Sequence, residues 1–233
     1  MAAQYRIKEI FYTLQGEGAQ AGRPAVFCRF SKCNLWNGRE NGRAAAVCNF
    51  CDTDFIGTDG HLGGVYDLEQ LVTVIQQQWP GSTANGQAQG KPYVVCTGGE
   101  PALQLDDELV SALQRAGFEV AIETNGTLPL ANGIDWVCLS PKGESELVVI
   151  ECDELKLVYP QADAPPERFD HIQADHYYLQ PMADYEPVVI ASDKLQGAVE
   201  SLSTTNTHKT LQYCLKHPRW KLSLQTHKMI RIE

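Results

Sequence analysis

Residues 93–126, YVVCTGGEPALQLDDELVSALQRAGFEVAIETNG, carry the pattern that decides the fold. Tyr93–Thr97 is a short apolar run of strand type, ended by the polar segment TGGEP (Thr97–Pro101). A helical pattern runs from about Asp106 to Ala116 and stops at Gly117. Phe118–Glu123 is again strand-like and ends in ETNG (Glu123–Gly126). Strand, turn, helix, strand is a βα repeat, whose strands lie parallel with a helix across one face.

The same alternation continues outward. Further strand-like runs are Arg6–Leu14, Ala25–Phe30, Ile134–Ser140, Glu154–Tyr159, Tyr177–Pro181 and Trp220–Thr226. Asp67-x-x-Gln70 reads as a helix cap with a reaching partner before LVTVIQQQW, and Pro80-Gly81 stops that helix. A third helix is predicted over Thr205 to Lys216, and Gly81–Lys91 reads as a surface loop. No internal repeat and no linker divides the chain, so residues 1–233 are expected to form one α/β domain. Its parallel sheet would curl into a barrel or part of one.

In such a sheet the active site forms beyond the carboxyl ends of the strands. Polar clusters fall there five times: TGGEP, ETNG, SPK (Ser140–Lys142), QPM (Gln180–Met182) and QTHK (Gln225–Lys228). Recurrence at successive strand ends points to a lined cavity, whereas any one cluster alone reads as turn chemistry.

Composition narrows the function classes. Nineteen basic against 29 acidic residues give a formal charge of −10, which disfavours a broad grip on nucleic acid or an anionic membrane. No apolar run approaches the roughly 18 residues of a membrane span, and Met1–Ile10 lacks a signal-peptide core. The expected address is the cytoplasm. In that reducing compartment the eight cysteines serve metal binding, catalysis or packing. Cys28, Cys96, Cys138, Cys152 and Cys214 lie singly in apolar or amphipathic stretches and read as packing. Cys33, Cys48 and Cys51 sit in CNLWNGRENGRAAAVCNFC, rich in Asn, Gly and Arg, and read as ligands. Three thiolates leave one position open on a tetrahedral metal or on one iron of a [4Fe–4S] cube, where a second molecule can bind. Phe50, between the paired cysteines, offers an aromatic surface to a bound heterocycle.

CNFC followed by GGEP on the next strand end resembles the radical S-adenosylmethionine (SAM) enzymes. Most of these have three residues between the first two cysteines, whereas this chain has fourteen. One branch with such an expansion is the 7-carboxy-7-deazaguanine synthase family. EIFYTLQGEG (Glu9–Gly18), GRPAVFCRF (Gly22–Phe30), CDTDF (Cys51–Phe55), VCTGGEP, IETNG, SPK, ELK, LQPM and QTHK all resemble its motifs, from the first strand to the last. The resemblance implies a compact, incomplete TIM-like barrel with a cluster-binding loop at residues 31–54. It also implies conversion of 6-carboxy-5,6,7,8-tetrahydropterin to 7-carboxy-7-deazaguanine with release of ammonia, in 7-deazapurine (queuosine-type) biosynthesis. SAM would be used catalytically, through a 5′-deoxyadenosyl radical that takes hydrogen from pterin carbon 6. The implied partners are a low-potential electron donor such as flavodoxin and a second copy of the chain.

Carried over residue by residue, the resemblance makes Cys33, Cys48 and Cys51 the [4Fe–4S] ligands. SAM would lie against Asn49, Phe50 and Asp52, Gly98, Gly99 and Glu100, Ser140, Pro141 and Lys142, and Gln180, Pro181, Met182 and Ala183. Thr53 would bind Mg²⁺, although from sequence alone Asp52 or Asp54 is the plainer metal ligand. Substrate would meet Leu14, Gln15, Gly16, Glu17, Arg29, Thr97 and His227, with Glu233 bringing a terminal carboxylate. A guanidinium fork suits the substrate carboxylate; the alternative for Arg29 is an ion pair with a neighbouring acid. Residues 23–43 hold five basic side chains and one acidic, which favours anionic ligands near the cluster. No side chain is assigned as a general acid or base. Two other readings are a glycyl-radical activator on the same scaffold and a zinc-stabilised binding module that uses the three thiols.

Overall fold

Tyr5–Leu14 (β1) is buried mainly in its first seven residues, burial runs almost unbroken through Pro24–Phe30 (β2), and these two strands pair antiparallel. The computed structural model describes residues 3–81, 90–183 and 205–232. Gly64–Tyr66 (β3) adds antiparallel to the other edge of β1. Beyond β2 the strands are Tyr93–Gly98 (β4), Glu119–Thr124 (β5), Trp136–Leu139 (β6), Glu151–Tyr159 (β7), Gln173–Pro181 (β8) and Lys221–Leu222 (β9). From β2 to β9 every neighbouring pair is parallel, in the order β3-β1-β2-β4-β5-β6-β7-β8-β9. The sheet is open and mostly parallel, in agreement with the incomplete barrel expected from the βα repeats.

Leu68–Gln78 (α1) starts at the predicted capping box: the Asp67 side chain accepts from Gln70 N, and the Gln70 side chain accepts from Asp67 N. Asp107–Arg115 (α2) is capped by Asp106, whose carboxylate also accepts from the Tyr5 hydroxyl at 2.9 Å. Leu71 and Ile75 of α1 and Leu109, Val110 and Leu113 of α2 pack on Ile7, Ile10, Val94, Cys96 and Ile122, so the large core lies between the helices and the outer face of the sheet. Asn206–Lys216 (α3) flanks a second core around Leu139, Leu155, Phe169, Leu179 and Trp220. On the inner face Phe11 and Phe27 stack at 5.5 Å, and with Tyr93, Val95 and Ala121 they form an apolar cluster. Residues two steps further along these strands, such as Arg29 and Thr97, face the same side and are paired in register.

Two expectations are corrected. The run Trp220–Thr226 is a strand only at Lys221–Leu222, and QTHK opens a short helix, Thr226–Ile230 (α4). The reason is visible in the backbone bonds. The loop after β1 crosses the open side of the sheet, where Gly16 O accepts from Thr226 N and Gly18 N donates to Ser223 Oγ, both at 2.9 Å. Ser223 N still donates to Leu179 O of β8, but the Ser223 side chain and Thr226 bond to that loop, and the ladder goes no further. β3 escapes the sequence reading because three residues carry no period. Residues 82–89 of the predicted loop, and Glu233, lie outside the described residues.

Candidate active site

A cavity of about 430 Å³ opens at the carboxyl ends of the parallel strands, within the range of small-molecule sites. Cys33, Cys48 and Cys51 all line it. Cys33 leaves the end of β2 and its Sγ accepts from Leu35 N at 3.5 Å, while burial pushes its thiol up. The Cys48 thiol donates to Cys51, and that bond holds Cys51 at about 6 against the opposing effect of burial. All eight cysteines are free.

The expanded segment between Cys33 and Cys48 is organised around Trp36, which is buried and meets Phe55 edge-on at 5.6 Å. The Arg43 guanidinium lies 4.2 Å from the Trp36 ring centre, pairs with Glu40, and donates to Asn49 O at 3.0 Å and Cys51 O at 2.8 Å. A 3₁₀ stretch of two turns, Glu40–Ala45, thereby clamps the CNFC turn. On the other flank, buried Lys8 of β1 pairs with Asp54 and Asp59, both at 2.8 Å, and donates to Ile56 O. The local excess of positive charge is largely paired: Arg23 with Glu119, Arg29 with Glu9 and Arg43 with Glu40.

The GGEP glycines also carry a packing task. A Cβ on Gly98 would stand 2.2 Å from Phe30 O, and one on Gly99 would stand 2.1 Å from Lys32 O and 3.0 Å from Cys33 Cβ. Their bareness admits the backbone that carries Cys33, although both residues also line the cavity. Glu100 is fully buried and does not line it. Its carboxylate accepts from Thr124 Oγ1 at 2.8 Å, Asn125 N at 2.7 Å and Ala102 N at 3.0 Å, locking the end of β4 to ETNG, while burial raises its pKa. Glu100→Ala leaves these donors unpaired and is expected to cost about 3–5 kcal/mol of stability, readable by chemical denaturation.

Deeper in the cavity, Glu17 is a hub. Its carboxylate accepts from Lys156 Nζ at 2.7 Å, Gln180 Nε2 at 3.1 Å and Gln225 Nε2 at 2.9 Å. Burial works against its charge, but the Lys156 ammonium and these donors hold it at about 2. Glu123 accepts from Gln15 Nε2 at 3.1 Å and Thr97 Oγ1 at 2.9 Å, with Lys156 at 3.5 Å. Leu14, Gly16, Arg29 and His227 also line the cavity, and a Cβ on Gly16 would stand 2.1 Å from His227 Nδ1. Arg29 Nε bonds Glu9 at 2.7 Å, so the ion-pair alternative is realised, but its terminal nitrogens have no bonded partner among the described residues.

The remaining expected ligand contacts divide. Phe50, Asp52, Thr53, Ser140, Lys142, Gln180, Pro181, Met182 and Ala183 line the cavity, whereas Asn49 is exposed and Pro141 buried away from it. Lys142 Nζ donates to Ser140 O at 2.7 Å and to Ser140 Oγ. Met182 N donates to Tyr159 O. Asp52 pairs with Lys228 at 2.7 Å and Asp54 with Lys8. Glu123, Lys156, Gln225, Lys8 and Lys228 line the cavity without having been assigned there. Four of them stand in motifs already singled out, ETNG, ELK and QTHK, but a motif does not state which neighbour across the sheet each will meet.

Three free thiols at the mouth of one cavity, one of them readily ionised, are a soft donor set that fits a [4Fe–4S] cluster. The mixed polar wall beside them fits the amino-acid and ribose parts of SAM. A closed zinc module would need a fourth protein ligand beside the three thiols.

No protein-family model matches the chain. It is 54% identical over 229 residues to the 7-carboxy-7-deazaguanine synthase of Bordetella pertussis, covering 98% of this chain and 99% of the relative. The synthase of Bradyrhizobium diazoefficiens is 52% identical with the same coverage, and that of Bacteroides thetaiotaomicron 38% identical over 227 residues. Among solved structures, the crystal structure of QueE from Escherichia coli superposes with a TM-score of 0.62 at 25% identity, covering 95% of this chain and 93% of that one. With full-length identity above one half and a three-thiol cavity at the strand ends, the chain belongs to the 7-carboxy-7-deazaguanine synthase family of radical SAM enzymes.

Proposed function

We propose that this enzyme contracts the ring of 6-carboxy-5,6,7,8-tetrahydropterin to 7-carboxy-7-deazaguanine, releasing the expelled nitrogen as ammonia. The observation that carries the reading is one cavity lined both by the three thiols and by the carboxylates of Glu17 and Glu123. Cys33, Cys48 and Cys51 hold the cluster; Gly98, Gly99, Ser140, Lys142 and the Gln180–Ala183 segment border SAM. When bound, the cluster and SAM supply the one-electron chemistry that removes and returns the hydrogen at pterin carbon 6. The protein's own part is binding, orientation and exclusion of water. Gln15, Glu17, Thr97 and Glu123 offer acceptors and donors to the amino-pyrimidine edge, and His227 closes over Gly16.

Arg29 takes the substrate carboxylate through its terminal nitrogens, with Nε kept by Glu9. Thr53 contributes a hydroxyl to Mg²⁺, completed by ligand oxygens and water; what supports this is its place in the cavity between Asp52 and Asp54, both already paired with lysines. Residues 1–233 act as one domain, with the cluster loop at 31–54 as its specialised insertion. A flavodoxin-like protein delivers the electron, and a second copy covers the exposed apolar residues Met229 and Ile230 of α4. Among the described residues no helix is long and apolar enough to cross a membrane. A cytoplasmic location suits eight free thiols.

The reading is tested by offering the reconstituted enzyme pterins with and without the carbon-6 carboxylate. Only the carboxylated ring should be consumed. Arg29→Met should raise its KM about 100-fold, the loss of a charge-assisted pair. Equal use of both pterins by the wild type would refute the assignment.

A further inference from the structure

Lys156 stands on β7 with its side chain only 8% exposed. Its Nζ lies 2.7 Å from Glu17 Oε2 and 3.5 Å from Glu123 Oε1. The two acids arrive from different parts of the fold, Glu17 on the loop after β1 and Glu123 near the end of β5. All three residues line the cavity. Among the described residues no other Lys or Arg pairs with either acid. A third acid, Glu154, stands two residues earlier on the same strand face and accepts from Ala19 N at 2.8 Å, and burial raises its pKa. One ammonium facing two carboxylates leaves acceptor oxygens in excess along the wall, the polarity that suits an N–H-rich edge of a heterocycle.

We propose that Lys156 is the positioning residue of this site: its ammonium fixes Glu17 and Glu123 in the cavity wall, where they receive the amino and ring N–H groups of the pterin. The inference rests on the substrate reading given above. Lys156 acts through the carboxylates and touches no reacting atom. Without it, a buried carboxylate takes up a proton more readily, and a protonated oxygen presents a donor to a donor edge. The groups that face Lys156 are Glu17, Glu123, Glu154 and Cys138 on β6, with the charge of His227 on α4 acting on Glu17. After removal of the lysine, binding should therefore be weakest at acid pH and recover as pH rises.

The test compares wild type, Lys156→Met, Lys156→Arg and the double variant K156M/E17Q, each with its cluster reconstituted. The probe is 6-carboxypterin, the stable oxidised form of the ring, followed by its fluorescence. Wild-type affinity should change little between about pH 6 and 8; K156M should bind ~10-fold more weakly at the lower value and regain part of the loss at the higher, while K156R stays within ~3-fold. Melting curves without the probe give an independent check. In K156M the folded-state pKa of Glu17 lies above its unfolded value, so its contribution to stability is full below the unfolded value and is lost as pH rises. The Tm gap between wild type and K156M should widen from about pH 5 to 8, and E17Q should remove that trend. K156M with wild-type affinity at both pH values would overturn the proposal. So would an equal loss at both, with a Tm gap that does not move with pH. Wild-type enzyme that binds SAM but no pterin would overturn the substrate reading, and with it the ligand named here.

Discussion

Cys51→Ala enzyme is expected to lose its iron–sulfur chromophore and its turnover together, with rates falling below about one-hundredth of wild type, a loss of more than ~2.7 kcal/mol in transition-state stabilisation. Ligand count is the reason: three thiols line the cavity, and a [4Fe–4S] cube with one open iron needs all three. Cys51 accepts from the Cys48 thiol, which lowers its pKa and favours the thiolate form that a metal binds. Its backbone is fixed as well, because Arg43 donates to its carbonyl at 2.8 Å. Cys33→Ala and Cys48→Ala should behave alike. Cys214→Ala, on the far flank in α3, should keep both colour and rate. Iron content per chain and the visible spectrum after anaerobic reconstitution decide the matter. A Cys51→Ala protein with a full complement of iron would remove this residue from the ligand set.

Gly99→Ala is expected to lower cluster loading markedly, although it adds one methyl group and changes no charge. That methyl would stand 2.1 Å from Lys32 O and 3.0 Å from Cys33 Cβ. The first contact is with backbone, so relief requires moving the segment that presents Cys33, at a cost of about 1–3 kcal/mol. The same contacts are braced from behind: Gly99 N donates to Phe30 O and Glu100 N to Lys32 O, at 3.1 and 2.9 Å. The expected outcome is a protein that folds, melts somewhat lower, and takes up markedly less iron under conditions that load the wild type fully. An alternative role, in which the glycine only leaves room for SAM, predicts full iron with a raised KM for SAM. Iron content against SAM affinity separates the two.

Much of the scaffold is legible in the chain because its signals are local. The Asp67 and Gln70 capping box, the stop of α2 at Gly117 and the apolar runs of β4 and β5 each depend on a few neighbouring residues. The three clustered thiols stand out because the sequence around them is polar. What escapes is whatever depends on partners distant in sequence. β1 reads like any other strand, yet it pairs antiparallel with β2 and opens a loop that reaches Ser223 and Thr226. That loop is also why the last predicted strand shrinks to two residues. Alternation shows that Glu123 and Lys156 lie on one face of their strands, but not that both turn toward Glu17. Glu100 sits in a motif read as a ligand contact, yet its side chain is spent on joining β4 to ETNG. The expanded cluster loop yields only to the structure, since Arg43 over Trp36 is a contact that no spacing rule announces.

The central claim, that one cavity holds both the cluster chemistry and the pterin, is tested most directly by anaerobic turnover. Reconstituted enzyme receives SAM, a low-potential reductant, Mg²⁺ and 6-carboxy-5,6,7,8-tetrahydropterin, and the products are followed by mass spectrometry. The account predicts 7-carboxy-7-deazaguanine with one ammonia per product and SAM largely conserved. Cleavage of SAM with the pterin recovered unchanged, by protein that carries its full complement of iron, would contradict it.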